Sequence, residues 1–309
     1  MSSKKPQLSV VLNVKNAAKI LPRALESVSF ATEIIVVDME STDKTVEVAK
    51  SFNARIFSHP DVGYADPARN FGLSQAKFPW ILVLDADEVV STSLQHKILE
   101  LISEPTADVY WLPRQNLFFG HWLNKAGWWP DHQPRLFRRG MVSWAVGVHR
   151  MPDIKGLELR LAVKPEWALL HTNYVSVDQF VAKLNQYTSL QAKEAIQEDP
   201  QSALVASQTS VLLKSYFDEL LKRWLALRGI DDGLHGTAAA FLQANYELIK
   251  QLKLWQLAGF PPTINDQKDS ERVIRQFQAD LNYWLADWHL EHSSGLIKIF
   301  WWIRRRLKF

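Results

Sequence analysis

Trp80–Glu88, WILVLDADE, is the stretch on which the reading of the fold turns. Trp80 and the apolar residues Ile81 to Leu84 run without a break into the acids Asp85, Asp87 and Glu88. A continuous apolar run of this length, closed by charge, predicts a strand buried on both faces in the middle of a parallel sheet. Such sheets bind ligands beyond the carboxyl ends of their strands. Carboxylates at i and i+2 on an extended backbone point the same way. Asp85 and Asp87 are thereby placed to approach one hard cation, with room left for phosphates. The plainer reading of the same acids is a solvated turn after a strand.

Upstream, the chain alternates between strand and helix patterns. LSVVLNV, residues 8 to 14, reads as a strand. Ala18 to Val28 places Ile20, Leu21, Ala24, Leu25 and Val28 at helical spacing, with Pro22 in the first turn, where proline is tolerated. EIIVVD, residues 33 to 38, is a second buried strand ending in an acid. Ser41 or Thr42 is the expected cap of a helix over 43–52. A short strand over 54–57, a loop over 59–65 and a helix over 67–76 lead to the quoted stretch. This order predicts a parallel, right-handed βαβ sheet with Asp38 and Asp85 on one rim. Neither GxGxxG nor GxxxxGK[ST] is present, which argues against a dinucleotide enzyme and a P-loop.

LSVVLNVKN, EIIVVDMESTDKT, ARNFGLSQA and WILVLDADE, in this order and spacing, resemble the nucleotide-binding half of family 2 glycosyltransferases with the GT-A fold. RQNLFFGHWL, HQPRLFRRG, VGVH, LLHTNYVSVDQFVAKLNQYTSLQA and DDGLHGTAAAFLQANYELIKQLKLWQ extend the resemblance to about residue 256. They narrow it to the branch similar to bacterial lipopolysaccharide-core β-glucosyltransferases. The resemblance implies a Rossmann-like, mostly parallel α/β domain over 1–175, an α-helical region over 176–294 and a basic aromatic tail over 295–309. It implies a nucleotide-sugar donor, UDP-glucose in that branch, and a saccharide or glycolipid acceptor of the cell envelope. Asn13, Lys15 and Asn16 would border the nucleoside, and Asp38 would bind the base or ribose. Arg69 would lie near the diphosphate and Asp85 near the ribose or metal. Asp87 and His171 would hold a divalent cation, Mg²⁺ or Mn²⁺. A cation fixed there stabilises the charge that builds on the departing nucleoside diphosphate.

Two positions depart from the family pattern. Ala17 stands where glutamate usually follows Lys-Asn. More seriously, Val148-His149-Arg150 replaces Val-His-Glu, whose acid would be the general base of an inverting enzyme. Arginine stays charged and cannot take a proton. Asp131 and Asp153 are the nearest candidate bases, and Arg150 becomes a candidate for binding an anionic acceptor. Two other classes stay open at this level. One is a non-catalytic sugar-nucleotide-binding scaffold, which Arg150 favours. The other is a nucleotidyltransferase, which the first turn NVKNAAK, lacking glycine, disfavours.

Composition narrows the setting. The chain has 309 residues, 47% of them hydrophobic, enough for a sizeable core. A net charge of +3 is too small to indicate nucleic acid as partner. The absence of cysteine excludes disulfides and suits a reducing compartment. No secretion signal is evident, so a cytoplasmic location is expected, with peripheral attachment to the inner face of the cytoplasmic membrane. The Trp-dense stretch over 121–129 reads equally as a sugar-stacking wall or a packed flap, and RLFRRG as a strand with one solvated basic face in preference to a phosphate-binding segment. Helical spacing follows over 180–190, 202–227, 237–257 and 270–290, with DDGLHG a break before the third of these. The tail LIKIFWWIRRRLKF, Leu296–Phe309, carries five basic residues and no acid. It suits either the surface of an anionic membrane or docking on the protein's own helices.

Overall fold

The computed structural model describes residues 7–61, 63, 66–144, 151–262 and 266–307. The chain divides into two compact units, Met1–Leu117 with Trp129–Asn173, and Phe118–Trp128 with Tyr174–Phe309.

In the first unit the elements alternate as the sequence predicts: β1 (Leu8–Val14), α1 (Leu21–Ser27), β2 (Glu33–Asp38), α2 (Thr45–Ser51), β3 (Arg55–Ser58), α3 (Asp66–Ser74) and β4 (Trp80–Asp85). Then come β5 (Glu88–Val90), α4 (Thr92–Ser103), β6 (Val109–Leu112) and β7 (Arg114–Phe118). After β8 (His121–Trp122), which belongs to the second unit, follow β9 (Gln133–Arg138), β10 (Val142–Ser143), β11 (Asp153–Ile154), β12 (Glu158–Arg160) and β13 (Leu169–Tyr174). The main sheet has the order β12-β6-β9-β4-β1-β2-β3. Strands β3, β2, β1 and β4 run parallel, whereas β9 lies antiparallel between β4 and β6. The sheet is thus mostly parallel, and β4 sits where the parallel half meets an antiparallel insertion.

Burial on both faces explains the unbroken apolar strands. Val10, Leu12, Leu82 and Leu84 enter one apolar layer together with Leu21, Leu25 and Ile98 from the helices. Val11, Val37, Ile81 and Val83 enter the other, beneath Ala68 and Phe71 of α3. Glycine at position 72 sets how closely α3 can approach. A Cβ there would lie 2.6 Å from Val11 Cγ1 and 2.9 Å from Val37 Cγ2. The helix therefore rests directly on β1 and β2, which brings Arg69 to Asp85 at the sheet rim, while the Asn70 side chain holds the Trp144 backbone.

Some boundaries differ from expectation. Helix α1 begins at Leu21, because the Ala17 carbonyl accepts from both the Ile20 and Leu21 N–H groups and closes a turn first. Ser41 and Thr42 do not cap α2, which starts at Thr45. Both are instead hydrogen-bonded to Asn16 across the rim. The third strand is shifted by one residue, to Arg55–Ser58.

The second unit is helical: α5 (Val177–Glu198), α6 (Ser202–Val205), α7 (Thr209–Leu221), α8 (Gly233–Leu257), α9 (Gln267–His292) and α10 (Gly295–Leu307). Ser176 caps α5 by accepting from the Gln179 N–H, while the Gln179 side chain accepts from the Val175 N–H, a reciprocal cap. The continuous helical spacing over 202–227 conceals a break at Gln208, whose backbone is extended. There the Asp266 carboxylate accepts from the Ser210 N–H at 2.7 Å and takes over the start of α7. The break expected at DDGLHG is shorter than the motif, a 3₁₀ turn over Gly229–Asp232 from which α8 runs on at once. Gly236 permits this, since a Cβ there would lie 2.0 Å from the Gly229 carbonyl oxygen. Phe118, Leu123, Phe180, Leu184 and Ala239 form a core with Trp128 packed against it. At Trp128 the packed reading of the Trp-dense stretch therefore holds. Helix α10 lies along α9, with Trp301 stacked on His289 at 3.9 Å and Arg305 paired with Asp287 at 3.0 Å. Among the described residues no helix is long and apolar enough to cross a membrane.

Candidate active site

The rim is built by register. Asn13 pairs with Asp85 across β1 and β4, and Val14 pairs with Asp38 across β1 and β2. Asn13, Asp38 and Asp85 therefore end neighbouring parallel strands, where a ligand site is expected in this architecture. The loops above them are laced together. The Asn16 N–H donates to Ser41 Oγ at 2.9 Å, the Thr42 N–H donates to Asn16 Oδ1 at 2.8 Å, and Lys15 pairs with Asp61. Asp38 is 7% exposed. Its Oδ2 accepts from the Ser41 N–H at 3.2 Å, and its Oδ1 is buried with no hydrogen-bond partner among the described residues.

Next to this lies a chain of charges, with Glu88 and Arg135 buried and Asp85, Arg69 and Arg114 half-buried. Asp85 does not join Asp87, because the strand ends at Asp85 and the backbone turns through Ala86 and Asp87. The Asp85 carboxylate is held by Arg69 at 2.8 Å and by Arg135. Arg135 also reaches Glu88 at 2.6 Å, and Glu88 takes Arg114 at 3.2 Å. Burial pushes the Asp85 carboxyl up. The charges of Arg135, then of Arg69 and Arg114, outweigh that and hold it well below the usual carboxylate range. The solvated basic face expected of RLFRRG is therefore wrong for Arg135, which is buried as the hub of this network. Arg138, by contrast, pairs with Asp108 and lies over the Trp80 ring. Arg114 and Asn116 were not singled out from sequence, and Glu88 and Arg135 were named only within WILVLDADE and RLFRRG, not as partners of each other or of Asp85. The available signal was an arginine inside an otherwise apolar strand.

On β13, His171 stands directly opposite Glu88 of β5. Its Nε2 lies 3.5 Å from Asp87 Oδ1, and its Nδ1 lies 2.6 Å from Asn116 Oδ1. The Thr172 N–H donates to the Asp87 carbonyl at 3.0 Å, which pins the turn against β13. The structure thus brings Asp87 and His171 together and keeps Asp85 apart, among arginines.

The candidate bases have different surroundings. Asp131 accepts from Arg114 Nε at 2.8 Å, Asn116 Nδ2 at 2.9 Å and Gln133 Nε2 at 2.9 Å. Burial raises its pKa, but the Arg114 charge and these hydrogen bonds outweigh burial and lower it. A carboxylate so occupied is a weak proton acceptor. Asp153 is exposed, on β11 opposite Ser143 of β10. Arg150, with Val148 and His149, lies outside the described residues.

Among the described residues, no three or more His, Asp or Glu side chains gather as a metal-ligand cluster. Asp87 and His171 nevertheless fit a partial site. One carboxylate oxygen and one imidazole nitrogen 3.5 Å apart would suit two positions on a divalent ion.

The family model for glycosyl transferase family 2 matches residues 9–151. An uncharacterized glycosyltransferase of Rickettsia felis is 30% identical over 209 residues, covering 62% of this chain and 71% of that protein. The lipopolysaccharide core biosynthesis glycosyltransferase LpsC of Rhizobium meliloti is 27% identical, covering 77% of this chain and 90% of that protein. Among solved structures, S. aureus TarS 1–349 in complex with UDP aligns with a TM-score of 0.43 at 15% identity, over 79% of this chain and 90% of that chain. The sequence motifs, the mostly parallel sheet with its acidic rim, the family model and the two sequence relatives agree that the chain belongs to glycosyl transferase family 2 and is a glycosyltransferase.

Proposed function

We propose that this glycosyltransferase moves a hexose, glucose in the first instance, from a UDP-sugar onto a saccharide or lipid-linked acceptor of a bacterial envelope, with inversion and with a divalent cation. The observation that carries the donor is Asp38 Oδ1, a buried carboxylate oxygen without a partner among the described residues. A buried acceptor left unpaired costs about 1–3 kcal/mol. A nucleobase N–H repays that cost, and the imide N3–H of uracil is such a donor. Asp87 and His171 supply lone pairs at the diphosphate end, and Arg69 is held close by through Asp85. A bound cation would neutralise the charge that develops on the leaving diphosphate. Of the two candidate bases, Asp131 is occupied by Arg114, Asn116 and Gln133 whereas Asp153 is exposed, which favours Asp153 as the group that takes the acceptor proton. The name of the R. meliloti relative favours a lipopolysaccharide-core acceptor.

The test is thermal unfolding with Mn²⁺ and a panel of UDP, GDP, CMP, dTDP and their sugars. A ligand at about 100 times its dissociation constant stabilises by roughly 2.7 kcal/mol. A shift of several degrees with UDP compounds is expected, reduced in Asp38→Ala. Equal shifts across all nucleotides, or an unaltered UDP shift in Asp38→Ala, would remove Asp38 as the base-reading group.

The acceptor's location enters through α10. Its inner side carries Trp301 and Arg305, both used against α9. Leu296, Ile299, Phe300, Ile303 and Leu307 are exposed, among Lys298, Arg304 and Arg306. Docking on α9 and binding a membrane are thus compatible, each using a different face. We assign the outer face to the cytoplasmic surface of an anionic membrane. Ile299→Glu combined with Ile303→Glu is expected to weaken binding to phosphatidylserine-containing vesicles at least about tenfold. Undiminished flotation with such vesicles would rule this assignment out.

A further inference from the structure

Asn116, on β7, is fully buried between two groups that want opposite things from it. On one side is Asp131, a carboxylate that can only accept hydrogen bonds. Arg114 and Gln133 hold Asp131 in place, and its Oδ2 lies 2.9 Å from Asn116 Nδ2. The amide NH₂ must therefore face Asp131. The amide oxygen is then turned to the other side, 2.6 Å from His171 Nδ1. Two lone pairs cannot meet at that distance, so Nδ1 carries the proton. In neutral imidazole the remaining lone pair sits on Nε2. That atom faces Asp87 Oδ1 at 3.5 Å, beyond the range of a good N–H···O bond. The outcome is a nitrogen and an oxygen lone pair side by side, which is what a divalent cation requires.

We propose that Asn116 is a positioning residue: clamped by Asp131, it fixes His171 as the Nδ1–H tautomer and presents the Nε2 lone pair, beside Asp87, to the divalent cation. The inference rests on the reading that Asp87 and His171 hold that cation. Asparagine suits the position because one short side chain must donate to a carboxylate and accept from an N–H. Aspartate would repel Asp131, and an apolar isostere would satisfy neither neighbour. The Asp131 carboxylate, expected from sequence as a base, thereby acquires a different task two residues removed from the ion.

The experiment uses the full chain, with two readouts. Side-chain ¹⁵N–¹H correlation spectra of the metal-free protein report the His171 tautomer. Electron paramagnetic resonance titration with Mn²⁺ in the presence of UDP reports the ion's affinity. Wild type should show His171 protonated at Nδ1 alone. Asn116→Leu should lose that single tautomer and bind Mn²⁺ about 10- to 100-fold more weakly. The swap Asn116→Asp with Asp131→Asn keeps one donor and one acceptor in the same gap, so it should restore the tautomer and bring affinity back to within a few-fold. A wild-type His171 protonated at Nε2 overturns the proposal. So does Mn²⁺ affinity unchanged in Asn116→Leu, or a folded swap variant that binds no better than Asn116→Leu. Wild type that binds no Mn²⁺ with UDP overturns the cation reading itself, and this proposal with it. Wild type that binds while the variant binds equally overturns this proposal alone.

Discussion

Asp87→Ala is expected to lower kcat/KM for the UDP-sugar by about 100- to 1,000-fold, the cost of losing one group that stabilises charge on the leaving diphosphate. The effect should fall mainly on kcat, because that charge develops as the sugar–phosphate bond breaks. His171→Ala should behave alike. The double variant should be little worse than either alone, since two ligands of one ion act as a unit. Initial rates over a Mn²⁺ series check this. An Asp87→Ala enzyme with wild-type rates and an unaltered Mn²⁺ requirement would refute the assignment. Additive losses in the double variant would mean that the two side chains serve separate ends.

Arg135→Met is expected to cost about 3–5 kcal/mol of stability, the usual penalty for removing one partner from a buried ion cluster. Among the described residues, Glu88, 0% exposed, would keep Arg114 at ion-pair distance and Asp85 would keep Arg69. Replacing the arginine alone leaves a buried carboxylate under-compensated, which is worse than an apolar core. The loss should depend on pH. In the wild type Asp85 is held below its usual range, with burial pushing it up and the arginine charges pulling it further down. A carboxylate depressed in this way contributes stability that is fully present above its unfolded value, about pH 4. That contribution is lost as pH falls below about 4 toward the folded value. The gap between wild type and Arg135→Met should therefore be full at pH 7 and narrow below about pH 4. Thermal unfolding at pH 7 and pH 3 checks it, and a gap that widens in acid would contradict the ion-cluster account.

These residues also show what was legible in the chain. The order of strands and helices up to Asp85 was readable because β1, β2 and β4 are buried on both faces and the helices between them on one. The rim position of Asp38 and Asp85 followed from that order alone. The insertion of β9 between β4 and β6 was not readable, since local pattern carries no information on which strand pairs with which. The same limit hid the ion network: Arg135 meets Asp85 and Glu88 across 50 and 47 positions of chain. Periodicity also misled. The residues over 202–227 keep helical spacing, yet the backbone is extended at Gln208, and Asp266, far along the chain, accepts from the Ser210 N–H where the next helix starts. Asp85 and Asp87 looked alike in sequence because alternation assumes an extended backbone. The strand stops between them, and the two acids take opposite partners.

The excursion Phe118–Trp128 leaves the first unit, contributes Phe118, Leu123 and Trp128 to the helical core, and hands the chain back at Trp129. On the ribosome this means that the second unit is begun before the first is finished. The first lacks β9, β12 and β13 until Asn173 has been made. The excursion's aromatic residues stay uncovered until α5 and α8 emerge, many seconds later at about 5–20 residues per second. A nascent chain interrupted near the natural-looking cut after Tyr174 would carry a finished sheet and an unfinished greasy strap. Such truncated products should be prone to aggregate, and a chaperone that shields exposed aromatic residues would be needed most over this interval of synthesis.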